Sequence, residues 1–271
     1  EEVVLTPDGQ FAFVRQRGVE TLQVVDLALE TVTPVDVGDD PTDMDVTPDG
    51  NRLAVVARSS RQVWTYDVND PFAVPALVDF PADTAWGSVS FAGGSDRAIL
   101  YTNAALEASL AIWNTDDDSF SVRSLVKPVQ SIGLSPVGDV AIVFHTKQDA
   151  ASGGDENFSG EWAVTLMETD GRGENRMLLE AEPTGYGMSD DNRWGFYVMD
   201  GVPTMEALSF ETLLPDHIKL ASDPVFVGTL PGRTMAWASQ MHDMGRISFY
   251  DPDAKELDTI TGFELNSDIE H

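Results

Sequence analysis

The stretch that decides the fold is Thr42–Val68, TDMDVTPDGNRLAVVARSSRQVWTYDV. Alternating apolar and polar residues lead into Thr47–Gly50, where proline presets one turn residue and glycine tolerates the positive φ of another. Two further apolar segments follow, Leu53–Ala57 and Val63–Val68, with a polar loop between them. The stretch therefore predicts three short antiparallel strands that are joined by a tight turn and a loop.

Copies of this unit recur along the whole chain. Its turn recurs in six segments, namely Thr6–Gly9, Thr47–Gly50, Phe91–Gly94, Ser135–Gly138, Ser189–Asn192 and Leu230–Gly232. Its third strand recurs as Leu22–Asp26, Val63–Asp67, Leu110–Asn114, Val164–Glu168, Ala207–Glu211 and Ile247–Asp251. Both series have a period of about 40 to 54 residues, with room for a fourth strand in each unit, and this is typical of a β-propeller.

We therefore predict an all-β propeller of six four-stranded antiparallel blades, with seven blades as the alternative. The predicted blades occupy approximately residues 1–41, 42–84, 85–128, 129–182, 183–223 and 224–271. A chain of 271 residues is long enough for one large core, so we expect the whole chain, 1–271, to form a single domain.

The repeats resemble those of the YVTN-type propeller family. The turn motifs Pro7–Gly9 and Pro48–Gly50 are each followed by a strand that ends in aspartate, Asp26 and Asp67, and Ala98–Asn103 reads AILYTN. This resemblance implies a propeller fold. Proteins with such repeats include surface-layer and lipoprotein components, lactonases and quinoprotein-like dehydrogenases, so the resemblance leaves the activity open.

Composition excludes several classes of partner. The chain carries 46 acidic and 16 basic residues, for a net charge of −30, whereas nucleic acids and anionic membranes need clustered lysine and arginine. The absence of cysteine rules out disulfides, thiolate catalysis and cysteine-bound zinc. No apolar run approaches the ~18 residues of a membrane span. Because the sequence starts Glu1-Glu2 without methionine, we expect an exported protein that is secreted, periplasmic or anchored at the surface through a removed segment.

In a four-stranded blade, the loops between the second and third strands lie at the same edge as the connections from one blade to the next. We call this edge the crossing face, and we expect a ligand there because its loops vary most. The candidate ligand-binding residues are Asp39, Asp40, Asp43, Trp86, Tyr186, His145 and His242. The two histidines lie near the ends of second strands, where they could hold a metal or act as a base, or could be unrelated rim residues. The carboxylates could equally form solvated turns.

One clear insertion lies between Phe144 and Trp162. Within it Asp155, Asn157 and Ser159 place oxygen donors at alternate positions, a spacing that suits Ca²⁺. The twelfth position is Leu166 rather than glutamate, so the full EF-hand pattern is absent. A mobile polar loop without metal is the alternative, and we predict no cofactor, with Ca²⁺ as the alternative.

From these observations we favour a non-catalytic, exported binding propeller that presents its crossing face to a protein or glycan. One alternative is a lactonase-like or hydrolase-like propeller enzyme with a metal-assisted site at the channel mouth, whose catalytic residues the sequence does not identify. Another is a structural cell-surface repeat protein. The oligomeric state stays open.

The net charge of −30 predicts that added salt stabilises the fold. Screening shortens the reach of like-charge repulsion from about 30 Å at 0.01 M to about 8 Å at 0.15 M salt. The melting temperature should therefore rise as NaCl is added from millimolar to seawater levels. A melting temperature that is flat or falls over this range would contradict the prediction.

Overall fold

The computed structural model describes residues 2–81, 84–92 and 96–262. These ranges contain 24 β-strands and a single 3-10 turn at Glu156–Phe158, and they contain no α-helix. Within them there is also no helix with the length and apolar character needed to cross a membrane. The described chain is therefore all-β, as predicted.

The first twelve strands form three sheets. Sheet 1 comprises β1 (Glu2–Leu5), β2 (Phe11–Arg15), β3 (Thr21–Asp26) and β4 (Thr31–Asp36). Sheet 2 comprises β5 (Pro41–Val46), β6 (Arg52–Ala57), β7 (Gln62–Asp67) and β8 (Ala76–Asp79). Sheet 3 comprises β9 (Ser88–Phe91), β10 (Arg97–Tyr101), β11 (Ser109–Asn114) and β12 (Ser119–Ser124).

The remaining strands form three further sheets. Sheet 4 comprises β13 (Val129–Leu134), β14 (Val140–His145), β15 (Trp162–Glu168) and β16 (Glu174–Leu179). Sheet 5 comprises β17 (Pro183–Met188), β18 (Trp194–Met199), β19 (Val202–Ser209) and β20 (Pro215–Lys219). Sheet 6 comprises β21 (Pro224–Thr229), β22 (Ala236–Gln240), β23 (Arg246–Asp251) and β24 (Glu256–Thr261).

Each sheet is a meander of four strands in chain order, which confirms the six predicted four-stranded units. The repeat predicts the strands closely. The predicted third strands fall within β3, β7, β11, β15 and β23, whereas the fifth, predicted at Ala207–Glu211, shares only Ala207–Ser209 with β19. The predicted turn residues Gly93 and Gly94 lie outside the described residues.

The described chain divides into two compact units. Unit 1 comprises the chain up to Ser131 together with Gln148–Asn157, and unit 2 comprises Ile132–Lys147 and the chain from Phe158 onwards. That the whole chain forms one domain stays a prediction.

The turn after the first strand has the same hydrogen bonds in sheets 1 and 2. The hydroxyl of Thr47 donates to the Asp49 carboxylate at 2.6 Å and accepts the backbone N–H of Arg52 at 3.0 Å. Thr6 bonds Asp8 at 2.6 Å in the same way. The Thr6 hydroxyl bond holds the pKa of Asp8 below its usual value, so this turn favours an ionised carboxylate. A hydroxyl residue followed two positions later by aspartate is therefore the local reason why the strand reverses here.

Apolar residues on both faces of the second strand build the core of unit 1. Leu53 and Val55 in β6 pack in one cluster with residues of sheet 1, and Ala54 and Val56 pack in another with sheet 3. Strand β18 of unit 2 also has two buried faces. Tyr197 packs in a cluster with residues of sheet 4, and the residues on either side of Tyr197 pack in a cluster with residues of sheet 6. Burial of each large side chain contributes about 1.5 to 3 kcal/mol, so β6 and β18, each with five buried residues, contribute strongly to the packing of their units.

Two glycines of the repeated turn allow backbone strain to be separated from crowding. Gly9 and Gly50 have similar φ values, +69° and +73°. A Cβ added at Gly50 would lie 2.8 Å from Cγ of Pro7, whereas one added at Gly9 would meet nothing within 4 Å. We expect Gly9→Ala to destabilise the protein by about 1 kcal/mol through φ alone, and Gly50→Ala to destabilise it by about 2 kcal/mol or more. Equal denaturant midpoints for the two variants would contradict this.

Candidate functional site

The crossing face of unit 1 is built around the connection into β5. The backbone N–H of Arg58 donates to the carbonyl of Asp40 at 3.0 Å, and that of Ser59 donates to the carbonyl of Asp39 at 3.2 Å. The N–H of Asp39 in turn donates to Ser60 Oγ at 2.6 Å. The connection between sheets 1 and 2 therefore lies against the β6–β7 loop, as predicted for a shared edge. Both aspartate side chains are exposed.

Strand β5 also bonds the segment that leads into β9. The Thr42 hydroxyl donates to the carbonyl of Gly87 at 2.6 Å, and the Asp43 carboxylate accepts the N–H of Val89 at 2.8 Å. Burial raises the pKa of Asp43 to about 6, although the Val89 bond opposes the shift. Asp43 is therefore a half-buried carboxyl group that titrates near neutrality.

Two more carboxylates accompany Asp43 on the first strands of sheets 1 and 2. Burial also raises the pKa of Asp45, and the negative charge of Glu2 adds to the shift at both aspartates. Arg15 offsets part of this charge, with its Nε 2.9 Å from the Glu2 carboxylate and its Nη1 3.1 Å from the carbonyl of Pro41. The three carboxylates therefore form a partly buried acidic cluster with one guanidinium beside it.

Trp86 lies in the core rather than on the surface. Its side chain is 0% exposed and belongs to the cluster between sheets 2 and 3, with its ring centroid 5.5 Å from that of Phe80. The next residue, Gly87, faces the guanidinium of Arg58, since a Cβ built on Gly87 would lie 2.0 Å from Arg58 Nη2. Sequence reasoning missed Arg58, although its place in a second-to-third-strand loop puts it on the crossing face.

The candidate residues of unit 2 occupy different environments. Tyr186 is partly exposed, donates its hydroxyl to the carbonyl of Ile132 at 3.1 Å and packs against Phe144. His145 is fully buried within β14, with its Nε2 2.8 Å from Thr165 Oγ1. His242 is exposed in the β22–β23 turn, where its Nδ1 accepts the N–H of Met244 at 3.1 Å. The environment of His145 is that of an interior histidine rather than of a rim ligand.

The inserted segment 148–157 is attached to unit 1 by backbone hydrogen bonds. Ala151 N–H donates to the carbonyl of Leu106, and Asp155 N–H donates to that of Val126, both at 2.9 Å. The side chain of Lys127, 1% exposed, pairs with Asp149 at 3.1 Å. The segment is thus bonded along its length to sheet 3 and the residues that follow it.

The proposed calcium ligands fall in both units. In unit 1 the Asp155 carboxylate accepts the backbone N–H of Asn157 at 3.0 Å and its side-chain amide at 2.8 Å, while Ser159 belongs to unit 2. Among the described residues, no group of three or more histidine, aspartate or glutamate side chains is arranged to hold a metal ion. Calcium binding stays a prediction.

Sheet 5 contains a pair of titratable residues that sequence reasoning did not identify. Nδ1 of His217 lies 2.6 Å from the carboxylate of Glu206, which is nearly buried while the histidine is exposed. Burial raises the pKa of Glu206, and the carboxylate close to Nδ1 raises the pKa of His217. The contact is a close ion pair, because Oε2 of Glu206 does not meet hydrogen-bond geometry with this nitrogen. A carboxylate that holds one imidazole nitrogen leaves the other able to accept a proton. The pairing depends on the β19–β20 register, which places these residues opposite each other.

Comparison with protein families gives a match at one end of the chain. A family model described as lactonase, 7-bladed β-propeller, matches residues 1–76. This is less than half of the chain, so it shows a similarity of the first two repeats. No curated protein matches the chain in sequence.

Solved structures match nearly the whole chain. The hydrazine synthase of Kuenenia stuttgartiensis has a TM-score of 0.57 at 16% identity, over 96% of this chain and 82% of that one. The dihydro-heme d1 dehydrogenase NirN in complex with DHE has a TM-score of 0.60 at 14% identity, over 96% of this chain and 56% of that one. A chain of the mitotic checkpoint complex has a TM-score of 0.55 at 9% identity, over 93% and 74%.

This chain has a β-propeller fold. The described residues form six four-stranded sheets, which confirms the prediction of six four-stranded blades. Identities of 9 to 16% establish the fold alone, and the activities of these neighbours do not transfer.

The raised pKa of Asp43 predicts a pH dependence of stability. A folded-state pKa of about 6, above the unfolded value, contributes stability at low pH that is lost as the pH rises from about 4 through 6. In Asp43→Asn this loss is absent, and the amide oxygen can still accept the Val89 N–H. Between pH 4 and 7, the free energy of unfolding of the wild type should therefore fall relative to the variant by about 1 to 2 kcal/mol, after allowance for partial solvent screening.

Asp8→Asn is the matched control because the shift of Asp8 has the opposite sign. Its pKa is lowered, so its contribution is present above the unfolded pKa and is lost as the pH falls toward 3. Urea unfolding at several pH values measures both variants. Parallel pH profiles for the wild type and Asp43→Asn would contradict the assignment.

Proposed function

We propose that the protein is a non-catalytic, exported binding propeller that holds a protein or glycan ligand on the crossing face of unit 1. One observation carries the proposal: three chain segments of this face are hydrogen-bonded into one surface. The carbonyls of Asp39 and Asp40 bond the loop that begins at Arg58, and Thr42 bonds Gly87. Loops held in this way lose little conformational freedom when a ligand binds, which favours affinity.

The surface also combines hydrogen-bond acceptors with donors. The exposed carboxylates of Asp39 and Asp40 can accept hydroxyl or amide protons, and the half-buried guanidinium of Arg58 can donate. A ligand with both kinds of group, such as a glycan or a peptide backbone, is matched by this set. Binding of this type needs no cofactor.

We further propose that the repeats are of the YVTN type and that the protein works outside the cytoplasm. The Thr-Pro-Asp-Gly turns of sheets 1 and 2 and the match of residues 1–76 to a propeller family support the first point. An acidic composition with a net charge of −30, which keeps a protein soluble at high ionic strength, supports the second.

A propeller hydrolase of the lactonase kind is the second candidate. Two observations favour it, namely the similarity of residues 1–76 to a lactonase family and the Glu206–His217 pair in sheet 5. In such an enzyme His217 would take a proton from water while Glu206 holds its Nδ1. This candidate predicts turnover of a lactone that is lost in His217→Ala.

Binding to a glycan array, followed by calorimetry on the strongest hit, tests the first candidate. The variant Asp39→Asn/Asp40→Asn should weaken binding by about tenfold or more, since it weakens two acceptors and removes two charges. The matched control is Asp116→Asn/Asp117→Asn, which changes the same charge at an exposed turn between β11 and β12, at the other edge of the sheets. Equal affinities for the wild type and the Asp39/Asp40 variant, or equal losses in both variants, would contradict a site on the crossing face.

A further inference from the structure

Among the residues that the structure describes, Arg58 has no acidic partner, although the protein is rich in carboxylates. The chain has 46 acidic and 16 basic residues, so most half-buried arginines should lie beside an acid, as Arg15 lies beside Glu2. Yet Nε of Arg58 is buried and makes no hydrogen bond, and the ion pairs of the described chain do not include this residue. A buried cationic donor without an acceptor is rare in native proteins and calls for an explanation.

A second unsatisfied donor belongs to the residue that precedes Gly87. The indole Nε1 of Trp86 is also buried without an acceptor, and the side chain is 0% exposed. Gly87 links the two residues along the chain, since Trp86 precedes this glycine and the guanidinium of Arg58 lies against it. Both groups donate and neither accepts, so the missing partner is an acceptor. The guanidinium selects an anion among acceptors, because its N–H groups match the two oxygens of a carboxylate.

We propose that Arg58 binds the carboxylate of a sugar acid, so that the ligand of the crossing face is a hexuronate-containing glycan. This inference rests on the proposed function and names its ligand class. The neighbouring acceptors favour a sugar over an acidic peptide. The exposed Asp39 and Asp40 carboxylates, whose backbones bond the Arg58 loop, can accept protons from the hydroxyl groups that a sugar acid carries beside its carboxylate, whereas acidic peptide side chains carry no such donors.

Gly87 has a positioning role in this site. Because it has no side chain, the guanidinium of Arg58 can lie against its backbone, which Thr42 holds through the Gly87 carbonyl at 2.6 Å. A methyl group here would overlap Nη2 and force the guanidinium to move. Gly87→Ala keeps the arginine at position 58 but displaces its guanidinium, and it should therefore weaken binding of the sugar acid.

Titration with oligogalacturonate, followed by calorimetry and by the indole N–H proton resonances, tests the proposal. The wild type should bind oligogalacturonate at least about tenfold more tightly than the neutral galactose oligomer, and an indole resonance absent from Trp86→Phe should shift. Arg58→Gln should remove this preference for the acid. The control is Arg123→Gln, because Arg123 on β12 is also half-buried with an unpartnered buried Nε but lies on the last strand of sheet 3. It should change affinity by less than about twofold. Melting curves show whether each variant is folded.

Several results would overturn the proposal. Equal affinity of Arg58→Gln and the wild type for the acid would do so, as would the absence of saturable binding to oligogalacturonate. Tighter binding of an aspartate-rich peptide than of the sugar acid would replace the glycan by a peptide. If another ligand binds in a manner sensitive to Asp39→Asn/Asp40→Asn but not to Arg58→Gln, the proposed function stands and this inference fails. If nothing binds in a manner sensitive to either change, both fail.

Discussion

The hydrogen bond from a threonine or serine hydroxyl to an aspartate two residues later is the local constraint on which the repeat depends. It recurs at Thr6 and Asp8, at Thr47 and Asp49, and at Ser189 and Asp191. In each case the same hydroxyl also accepts the N–H of the residue that begins the next strand. This closes a tight reversal between the first and second strands and thereby sets their register, and the register decides which side chains reach the core.

A turn that is fixed in this way at one edge of sheets 1, 2 and 5 leaves the other edge for variation. At that edge unit 1 has loops held by backbone bonds to Asp39 and Asp40 rather than by a repeated side-chain motif. The exposed side chains of Asp39 and Asp40 take no part in these backbone bonds, which leaves them available for recognition. Asp43 and Arg58 lie at this edge but also take part in packing, because each is half-buried and is involved in the contact between neighbouring sheets.

Sequence reasoning located the crossing face but not the state of each residue on it. Trp86 and His145 were candidate ligand contacts, and the structure buries both side chains completely. Position in a connection or at a strand end does not determine exposure, which depends on the facing sheet. Arg58 and the Glu206–His217 pair were missed for a related reason. An arginine without a partner, or two residues opposite each other on adjacent strands, can be recognised only once the neighbours in space are known.

The sequence by itself determined the six repeated units, the four strands of each and the turn that joins the first two strands. These features follow from local rules, namely the two-residue period of a strand and the backbone preferences of Thr-Pro-Asp-Gly, and so can be read without knowing the fold. Tertiary structure alone decided which polar groups are buried, paired or left without a partner. The attachment of segment 148–157 beside Lys127 and the position of the Arg58 guanidinium against Gly87 both arise from contacts between residues distant in sequence, which no local pattern encodes.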